Sequence, residues 1–441
     1  MQATLFGTDG IRTRVGEEPL TPKSLIQLGN ALGHWMVQNK KQHVAFANDT
    51  RISCSLIKSA LKTGLLQHNI QVTDAFVLPT PLLFDAVIGG SCDVGIMITA
   101  SHNQYHDNGL KIFTQQGKTT IEQEQEISRL FYTTKPLISY EHLGTEFQDK
   151  NTVARFYEKK LFSMFTKNFL HKSTLVIDCA NGAFSNIAPL ILKSLGAKVI
   201  TLSNKPTGKN INLNCGSQYP EKLQQEVINN NADIGFAFDG DGDRIIGVDK
   251  NGTVFDGDQI LALLLHNPVY ENQTQVVSTI MANQALETHL KIQNRILART
   301  AVGDKNVVKY MQEHDCLVGG EPSGHIILRD FSDTSNGLFT MLRIVETLIH
   351  KKTWDVKTFT KYPQVLINVP IKLKKDLSLN PYANIINKHK NQLLDGRLVV
   401  RYSGTEPLLR VMIEDKTEAQ AQAVGALLSQ ELAKTLAKEV Q

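Results

Sequence analysis

Short apolar runs alternate with amphipathic stretches along most of the chain, and this alternation predicts α/β units on a mostly parallel sheet. A helix is expected over 22–38, because Thr21 and Pro22 form a typical N-cap and first-turn pair and apolar residues follow at helical spacing. The elements expected next are a strand at 44–49, a helix over 55–67 and a strand near 72–77. This is the order of parallel strands joined by helices.

One apolar pattern occurs twice and, in a looser form, a third time. The segments CDVGIMITASHN, from Cys92, and ADIGFAFDGDGD, from Ala232, share one strand-like pattern ahead of a polar loop, and their alignment places Ser101 opposite Asp241. The segment CLVGGEPSGHIIL, from Cys316, again leads from an apolar run into a glycine-containing loop. We interpret these segments as three related α/β domains, each sending one loop from the carboxyl end of a strand toward a shared cleft.

The chain has 441 residues, which is enough for three or four domains. Polar stretches near 148–152, 249–253 and 361–365 indicate boundaries, and the last part of the chain contains strands followed by a helix from about Thr417. We expect an α/β fold: three related α/β domains with mixed, mostly parallel sheets, plus a smaller C-terminal α+β domain, around a central cleft. The expected domains are 1–152, 153–252, 253–364 and 365–441.

Composition excludes several other classes of protein. Hydrophobic residues make up 41% and charged residues 20%, which fits neither a disordered nor a fibrous chain. The longest apolar run, Ile260–Leu265, is far shorter than the ~18 residues of a membrane span, and the first residues lack the pattern of a signal peptide. A net charge of +4 without basic runs gives no reason to expect a nucleic-acid partner. Because the five cysteines are scattered, reduced thiols are expected, in a cytoplasmic protein that binds neither membrane nor nucleic acid.

The segment DGDGDR between two apolar runs is the strongest candidate for a metal site. Asp239, Asp241 and Asp243 alternate with glycines, so the three carboxylates can converge on one hard cation such as Mg²⁺. A calcium-binding EF-hand is excluded, because Arg244 stands where that loop needs glycine and Lys250 where it needs a bidentate glutamate. The alternative is a solvated acidic turn, although carboxylates this close repel one another without a cation.

The segment TASHN ends the apolar run GIMI and offers a serine with a histidine beside it. Ser101, with His102 adjacent and Lys111 ten residues on, suits a nucleophile or a phosphate carrier, and a helix N-cap is the plain alternative. The GxSxG motif of α/β-hydrolases is missing, which disfavours acyl transfer. The alignment with the aspartate loop favours phosphoryl chemistry, because a serine that faces a divalent cation suits that reaction.

Three further strings offer groups that bind phosphates or sugars. The string RYSGTEP and the arginine after it supply donors for a phosphate dianion, unless the segment is a plain β-turn: Arg401, Ser403, Thr405 and Arg410, with Gly404 between them. The string GEPSGH contains Glu321 and Ser323, which suit sugar hydroxyls, and it is a weak signal by itself. The string GTDGIR near the start could be only a turn.

In this order, the strings FGTDGIR, TASHN with DNGLK, DGDGDR, GEPSGH and SGTEPLLR resemble those of the α-D-phosphohexomutase superfamily. The resemblance extends from Phe6 to about Glu414 and favours the branch that acts on an amino-sugar phosphate. It implies that Ser101 is a phosphoserine that donates and regains the phosphoryl group, first phosphorylated by a hexose 1,6-bisphosphate or a kinase. It also implies one Mg²⁺ per chain, bound by that phosphoserine together with Asp239, Asp241 and Asp243.

The remaining implied roles fall into three groups. The residues implied beside the reacting phosphoryl group are His102, Lys111 as general acid or base, and Arg12 and Arg244 for charge stabilisation. The residues implied to bind the sugar are Glu321, Ser323, His325 and Lys305. The residues implied to bind the phosphate that does not react are Arg401, Ser403, Gly404, Thr405 and Arg410.

The implied reaction interconverts glucosamine 6-phosphate and glucosamine 1-phosphate through a bound 1,6-bisphosphate, in UDP-N-acetylglucosamine and cell-wall precursor synthesis. A mobile fourth domain would close over the phosphosugar, in a monomer or a homodimer. Three alternatives stay open: the phosphomannomutase/phosphoglucomutase branch, a non-catalytic sugar-phosphate-binding paralogue, and a phosphatase.

The chain departs from the pattern of the superfamily at four positions. They are Thr13 in place of glycine, Gln104 in place of proline, Lys305 in place of arginine and Asn336 in place of aspartate. None removes an expected ligand or nucleophile. Thr13 and Gln104 are expected to change backbone freedom beside the site, and Lys305 keeps the charge of arginine but loses its fork.

Overall fold

The first part of the chain builds one sheet. The computed structural model describes residues 5–7, 9–135, 140–149, 151–403 and 407–438. The strands of the first sheet are β1 (Ile11–Arg14), β2 (His43–Asn48), β3 (Gln71–Val77), β4 (Val94–Ile98), β5 (Asp107–Thr114), β6 (Gly117–Lys118) and β7 (Glu146–Gln148). They follow the order β1-β5-β4-β2-β3-β7, with β6 paired to β5. The helices here are α1 (Pro22–Gln38), α2 (Cys54–Leu65), α3 (Thr80–Ile88) and α4 (Ile121–Thr133).

Helix α1 forms where the apolar spacing predicts it. The Ser24 amide donates to the Thr21 hydroxyl at 3.3 Å, and Pro22 occupies the first turn, where its missing N–H costs nothing. The apolar stripe of the helix, including Leu28 and Trp35, is buried against the sheet. The predicted helix and the strands that follow it are confirmed.

The second and third sheets repeat this plan. The second contains β8 (Thr174–Asp178), β9 (Lys198–Leu202), β10 (Ile234–Phe238), β11 (Ile245–Asp249) and β12 (Val254–Phe255), with helices α5 (Thr152–Met164), α6 (Phe184–Ser194) and α7 (Glu221–Asn229). The third contains β13 (Gln275–Thr279), β14 (Ile296–Thr300), β15 (Val318–Gly320) and β16 (Ile326–Leu328), with helices α8 (Gly257–Leu264), α9 (Gln284–Ile292), α10 (Asp304–Glu313) and α11 (Gly337–His350). Their orders are β12-β11-β10-β8-β9 and β14-β13-β15-β16.

The repeated sequence pattern corresponds to a repeated strand arrangement. Strands β4, β10 and β15 each pair in parallel with an inner strand and antiparallel with the strand that follows them in the chain. The polar loop of each pattern joins these two strands at the carboxyl end of the first, where open α/β sheets bind ligands. The repeated sequence pattern therefore corresponds to a repeated structural unit and is not a chance similarity.

The C-terminal part is a separate α+β layer. Its strands β17 (Gln364–Pro370), β18 (Arg397–Tyr402) and β19 (Leu408–Glu414) form an antiparallel sheet in the order β17-β19-β18, covered by α12 (Tyr382–Lys390) and α13 (Glu418–Lys438). In the part of the chain that the structure describes, its apolar cluster contains only residues between 365 and 436. In contrast, one continuous cluster includes side chains of the first, second and third sheets, such as Phe113, Phe238 and Val318.

Three further expectations from the sequence concern a domain boundary, the cysteines and membrane-spanning helices. The predicted boundary between 252 and 253 falls in the turn between β11 and β12, so a boundary after Phe255 keeps the second sheet whole. All five cysteines are buried free thiols, as expected. Within the described ranges, no helix combines the length and apolarity needed to cross a membrane.

Candidate active site

The loop after β10 brings three carboxylates together. Asp239, Asp241 and Asp243 are at most 2% exposed, and one ligand atom of each lies within 4.8 Å of the others. Gly242 has a φ of +77°, a conformation that side chains disfavour, and a Cβ on Gly240 would lie 2.6 Å from the Ser101 carbonyl oxygen. The two glycines therefore allow both the turn and the close approach of the serine loop.

Ser101 lies directly against this cluster. Its Oγ donates to Asp239 Oδ2 at 2.6 Å and lies 3.2 Å from His102 Nδ1, and the residue is 1% exposed. Its φ of +51° is left-handed, which is uncommon for a residue with a side chain. No helix begins at this loop, which leads into β5, so the alternative of a helix N-cap is wrong.

A buried arginine holds the serine loop in shape. The Arg51 guanidinium donates to the carbonyl oxygens of Ser101 at 3.0 Å and Asn103 at 2.7 Å, and it also reaches those of residues 104 and 107. Asp49 Oδ2 accepts from Arg51 Nε at 2.9 Å, and Asn212 from the second domain donates to the Ser101 carbonyl oxygen at 2.8 Å. Sequence reasoning missed Arg51, although two charged residues directly after the apolar strand β2 were a usable signal.

Lys111 projects from β5 into the aspartate cluster. Its Nζ lies 2.9 Å from Asp241 Oδ2, 2.7 Å from Asp243 Oδ2 and 3.3 Å from Asp9 Oδ2. Burial opposes the charge of Lys111, but these three carboxylates outweigh burial and hold its pKa well above its usual range. Lys111 therefore carries its proton, and it can give that proton up more readily once another cation binds the same carboxylates.

The cluster has the donor set of a divalent-cation site. Burial and the charges of Asp243 and Asp241 raise the pKa of Asp239 to about 8. The Oδ1 atoms of Asp241 and Asp243 are buried and have no hydrogen-bond partner among the described residues, although His325 Nδ1 lies 3.7 Å from the Asp243 atom. A hard cation would satisfy these oxygens and favour ionised Asp239, so the residues present fit such a metal.

A cavity of about 430 Å³ adjoins this cluster between the first, second and third domains. Arg12 from the first domain and Arg244 from the second domain line it, together with Asp9 and Glu321. Burial and these two arginines lower the pKa of His102 to about 4, so this imidazole is neutral at neutral pH. The cavity therefore offers cationic groups beside Ser101, as a phosphoryl group requires.

One of the four residues implied to bind the sugar, Glu321, lines this cavity, and a second, Ser323, contacts Glu321. Glu321 Oε1 accepts from the Gly303 amide at 3.1 Å, and the exposed Ser323 hydroxyl lies 3.4 Å from Glu321 Oε2. Both also line a neighbouring cavity of about 290 Å³ that extends to Met281. Their carboxylate and hydroxyl are therefore available to a ligand in the cleft.

The other two implied sugar ligands are placed differently. The His325 ring lines the large cavity but has Asp304 3.1 Å from Nε2 and Asp243 3.7 Å from Nδ1. Lys305 Nζ donates to the Thr119 carbonyl oxygen at 3.0 Å and pairs with Glu124 of the first domain. Thus Lys305 connects two domains, and the structure does not bring it to the cavity wall.

The two arginines of the predicted phosphate site lie opposite each other on adjacent strands. Arg401 on β18 faces Arg410 on β19, and both line a third cavity, of about 300 Å³, that also includes Met281. The first and second cavities share Glu321, and the second and third share Met281, so together they form one trough from Arg244, next to the aspartate cluster, to these arginines. Ser403 is buried beside them, whereas Gly404 and Thr405 lie outside the described residues.

The positions that depart from the family pattern keep the local structure. Thr13 lies in the extended strand β1, paired with Asn108, so the predicted change of backbone freedom at this position would fall on a strand. The Gln104 carbonyl oxygen accepts from Arg51, and the Asn336 side chain caps α11 by accepting from the Phe339 amide at 3.0 Å.

Known proteins match this chain along nearly all of its length. The family descriptions that match are phosphoglucomutase/phosphomannomutase alpha/beta/alpha domain I over residues 3–136, domain II over 155–252, domain III over 256–362 and the C-terminal domain over 366–429. Phosphoglucosamine mutase from Rhizobium rhizogenes is 40% identical over 444 residues, which cover 97% of this chain and 98% of that protein.

Solved structures show the same fold. A phosphoglucomutase/phosphomannomutase family protein from Burkholderia thailandensis has a TM-score of 0.81 at 22% identity, with 98% of this chain and 97% of that chain covered. N-acetylphosphoglucosamine mutase from Aspergillus fumigatus, in complex with GlcNAc-6P and magnesium, has a TM-score of 0.67 at 17% identity, with 98% and 96% covered.

The chain belongs to the phosphoglucomutase/phosphomannomutase family, whose members include isomerases, and this confirms the predicted fold class and enzyme class. The predicted resemblance to the amino-sugar branch is confirmed by the Rhizobium relative. The buried Asp239, Asp241 and Asp243 form a group that can bind a metal ion.

Proposed function

We propose that the chain interconverts glucosamine 6-phosphate and glucosamine 1-phosphate through a phosphorylated Ser101. The observation that carries the proposal is the position of the Ser101 hydroxyl, 2.6 Å from Asp239 in a buried carboxylate cluster, at one end of a trough that leads to Arg401 and Arg410. The trough has a reacting centre at one end and cations at the other, as a hexose bisphosphate requires. The Rhizobium phosphoglucosamine mutase supports the choice of sugar.

We infer that one Mg²⁺ per chain would be bound by Asp239, Asp241, Asp243 and an oxygen of the phosphorylated Ser101. Among the described residues, the buried Oδ1 atoms of Asp241 and Asp243 have no hydrogen-bond partner, which supports this ligand set, and the Aspergillus fold relative was solved with magnesium. When bound, such an ion neutralises charge on the transferring phosphoryl group. Priming of Ser101 by a hexose 1,6-bisphosphate or a kinase is part of the proposal.

Residues of the chain would orient the phosphoryl group and neutralise its charge during the transfer. The sugar 1-hydroxyl forms a new P–O bond and gives up its proton, the bond from phosphorus to Ser101 Oγ breaks, and Oγ takes up a proton to become a free hydroxyl. Lys111 is the candidate for both proton transfers, because its ammonium group contacts Asp241 and Asp243 in the cluster that Ser101 joins, and it can give a proton to Oγ and regain one from the sugar hydroxyl. Arg12 and Arg244, which line the same cavity, stabilise the charge of the phosphoryl oxygens.

The second phosphate of the bound bisphosphate occupies the far end of the trough. Arg401 and Arg410 would bind it with Ser403, Gly404 and Thr405, and Glu321 and Ser323 would bind sugar hydroxyls between the two ends. After the first transfer the bisphosphate turns over, and its 6-phosphate returns to Ser101. The C-terminal domain would close over the sugar during this turn.

Four points of the sequence prediction remain part of this proposal. They are a cytoplasmic location, a role in UDP-N-acetylglucosamine and cell-wall precursor synthesis, a monomeric or homodimeric state, and domains near 1–152, 153–252, 253–364 and 365–441. His325 and Lys305 remain predicted to contact the substrate, although the structure shows them bonded to protein groups.

The proposal is tested by following three sugar phosphates by ³¹P NMR. Purified protein with Mg²⁺ and a trace of glucose 1,6-bisphosphate is given glucosamine 6-phosphate, mannose 6-phosphate or glucose 6-phosphate, with Ser101→Ala in parallel. We expect fastest conversion of the glucosamine ester and a loss of at least about 10³-fold in Ser101→Ala, since the phosphoryl carrier is gone. Faster conversion of mannose 6-phosphate or glucose 6-phosphate would overturn the proposed substrate. Release of inorganic phosphate without isomerisation would overturn the proposed reaction.

A further inference from the structure

Six charged side chains from the first three domains close a ring beside the main cavity. Acids and bases alternate around it, in the order Asp9, Lys118, Asp304, His325, Asp243 and Lys111. Asp9, Lys111 and Lys118 belong to the first domain, Asp243 to the second, and Asp304 and His325 to the third. The ring therefore connects the three domains that surround Ser101.

The distances around the ring are those of direct contacts. Lys118 Nζ lies 2.8 Å from Asp9 Oδ1 and still nearer to Asp304 Oδ2, and Asp304 Oδ2 lies 3.1 Å from His325 Nε2. His325 Nδ1 is 3.7 Å from Asp243 Oδ1, and Lys111 Nζ completes the ring at 3.3 Å from Asp9 Oδ2. Because each acid has two basic neighbours, the loss of one base leaves two acids facing each other, at least one of them buried.

Two lysines cross the junction of the first and third domains in opposite directions. Lys118 on β6 reaches Asp304, the first residue of α10, while Lys305, the next residue of that helix, reaches Glu124 and Thr119 of the first domain. The N-terminus of a helix favours a carboxylate, so the position of Asp304 is set by α10 as well as by its partners. Burial opposes charge on His325, but Asp243 and Asp304 raise its pKa to about 10.

We propose that Lys118 and Asp304 are positioning residues, whose ion pair fixes His325 directly and Lys111 through Asp9 for the phosphoryl transfer at Ser101. The inference rests on the proposed function, because Lys111 and Ser101 take their roles from it. Residues that form hydrogen bonds or ion pairs with reacting groups set the orientation of those groups. Their loss lowers activity without removing the site.

The test measures transfer of a phosphoryl group from glucose 1,6-bisphosphate to Ser101, by rapid quench and intact mass, and also kcat and KM for glucosamine 6-phosphate. The variants are Lys118→Met, Asp304→Asn, the double variant and Lys118→Arg. The matched control is Lys58→Met, which breaks another buried ion pair of the first domain, with Lys58 Nζ 2.7 Å from Asp74 Oδ1. Thermal unfolding establishes that each variant is folded at the assay temperature.

We expect Lys118→Met and Asp304→Asn each to lower the transfer rate and kcat by about 10- to 100-fold, with KM changed less than about 3-fold. The double variant should be no slower than the slower single variant, because the two residues act as one unit. Lys118→Arg should recover most of the rate. Lys58→Met should lower the unfolding temperature but leave the rates within about 2-fold of the wild type.

A wild-type rate in Lys118→Met and Asp304→Asn, or a rise of KM in place of the fall of kcat, would overturn the proposal, as would an equal loss in Lys58→Met. If Lys118→Met does not fold, Asp304→Asn and Lys118→Arg decide in the same way. A wild-type chain that phosphorylates Ser101 but does not isomerise glucosamine 6-phosphate would overturn the proposed function, while the transfer step still decides for or against the ring. A wild type that accepts no phosphoryl group would overturn both.

Discussion

The two ends of the trough are built differently. Around Ser101, the first three domains share one continuous apolar cluster and a ring of buried charges. Around Arg401 and Arg410, the C-terminal domain has its own apolar cluster, which contains only its own residues among those described. The reacting centre therefore has a fixed geometry, whereas the phosphate-binding end is attached as a separate body.

The C-terminal domain is joined to the third domain by polar contacts. Glu414, which is fully buried, accepts from the Gln284 amide and from Arg397 Nε, each at 2.9 Å. Arg397 also donates to the carbonyl oxygens of Ile280 and Ala282. A junction of hydrogen bonds can change partners at lower cost than an apolar core can be opened, so this end of the trough is the one suited to close on a ligand.

The comparison predicts that damage to the reacting centre lowers kcat. Asp241→Asn removes one charge from the candidate metal site and one partner of Lys111. We expect kcat for glucosamine 6-phosphate to fall by about 10³-fold at saturating Mg²⁺, because the charge of the transferring group is no longer neutralised. Asp233→Asn, at the opposite end of β10, is the control, and steady-state kinetics with a Mg²⁺ titration makes the measurement. A fall of less than about 10-fold would contradict the assignment.

Damage to the other end should raise KM instead. We expect Arg401→Met to raise KM for glucosamine 6-phosphate by about 10- to 100-fold with kcat within about 5-fold, because a charge-assisted bond to the second phosphate is lost. Like charges opposite each other on adjacent strands repel, so phosphate should also stabilise the wild type against heat more than it stabilises Arg401→Met. Lys388→Met, on the surface of the same domain, is the control for both measurements. An unchanged KM and equal stabilisation by phosphate would contradict the prediction.

The smallest expected effect concerns stability near the polar junction. Burial and the charge of Asp256 raise the pKa of Asp258 to about 7, from a usual value near 4. The unfolded chain therefore loses the Asp258 proton before the folded chain does, and the wild type loses stability as the pH rises from about 4 through about 7.

Asp258→Asn removes this loss, so its free energy of unfolding relative to the wild type should increase between pH 5 and pH 8, by on the order of 2 kcal/mol. Urea unfolding at the two pH values makes the measurement, and Asp355→Asn, at a partly exposed carboxylate, is the control. A difference that is constant with pH would show that Asp258 does not keep its proton in the fold.

The parts of the fold that could be predicted from the sequence are those that follow a repeated pattern of apolar residues. The same apolar pattern ahead of Ser101, Asp241 and Glu321 marks three strands and three loops, and the structure places all three loops at one cleft. The helix over 22–38 follows from spacing and capping alone. Periodicity and turn chemistry are local properties of the chain, so they can be read without knowledge of the fold.

What connects distant segments could not be predicted. Lys118 and Asp304 are 186 residues apart, and nothing in their neighbourhoods marks them as a pair. The family resemblance places His325 and Lys305 at the sugar, yet each has a protein partner from another domain. A single charged side chain has no period, and its partner is decided only when the domains pack.

The central claim is that Ser101 carries the phosphoryl group between the two forms of the sugar, and a phosphate chase tests it most directly. The protein is incubated with glucose 1,6-bisphosphate and Mg²⁺, freed of small molecules, given glucosamine 6-phosphate and analysed by peptide mass spectrometry. We expect one phosphate per chain, located on Ser101, and its transfer to the sugar as glucosamine 1,6-bisphosphate when the phosphosugar is added. Phosphate on another residue, or phosphate on Ser101 that stays in place or leaves as inorganic phosphate, would contradict the account.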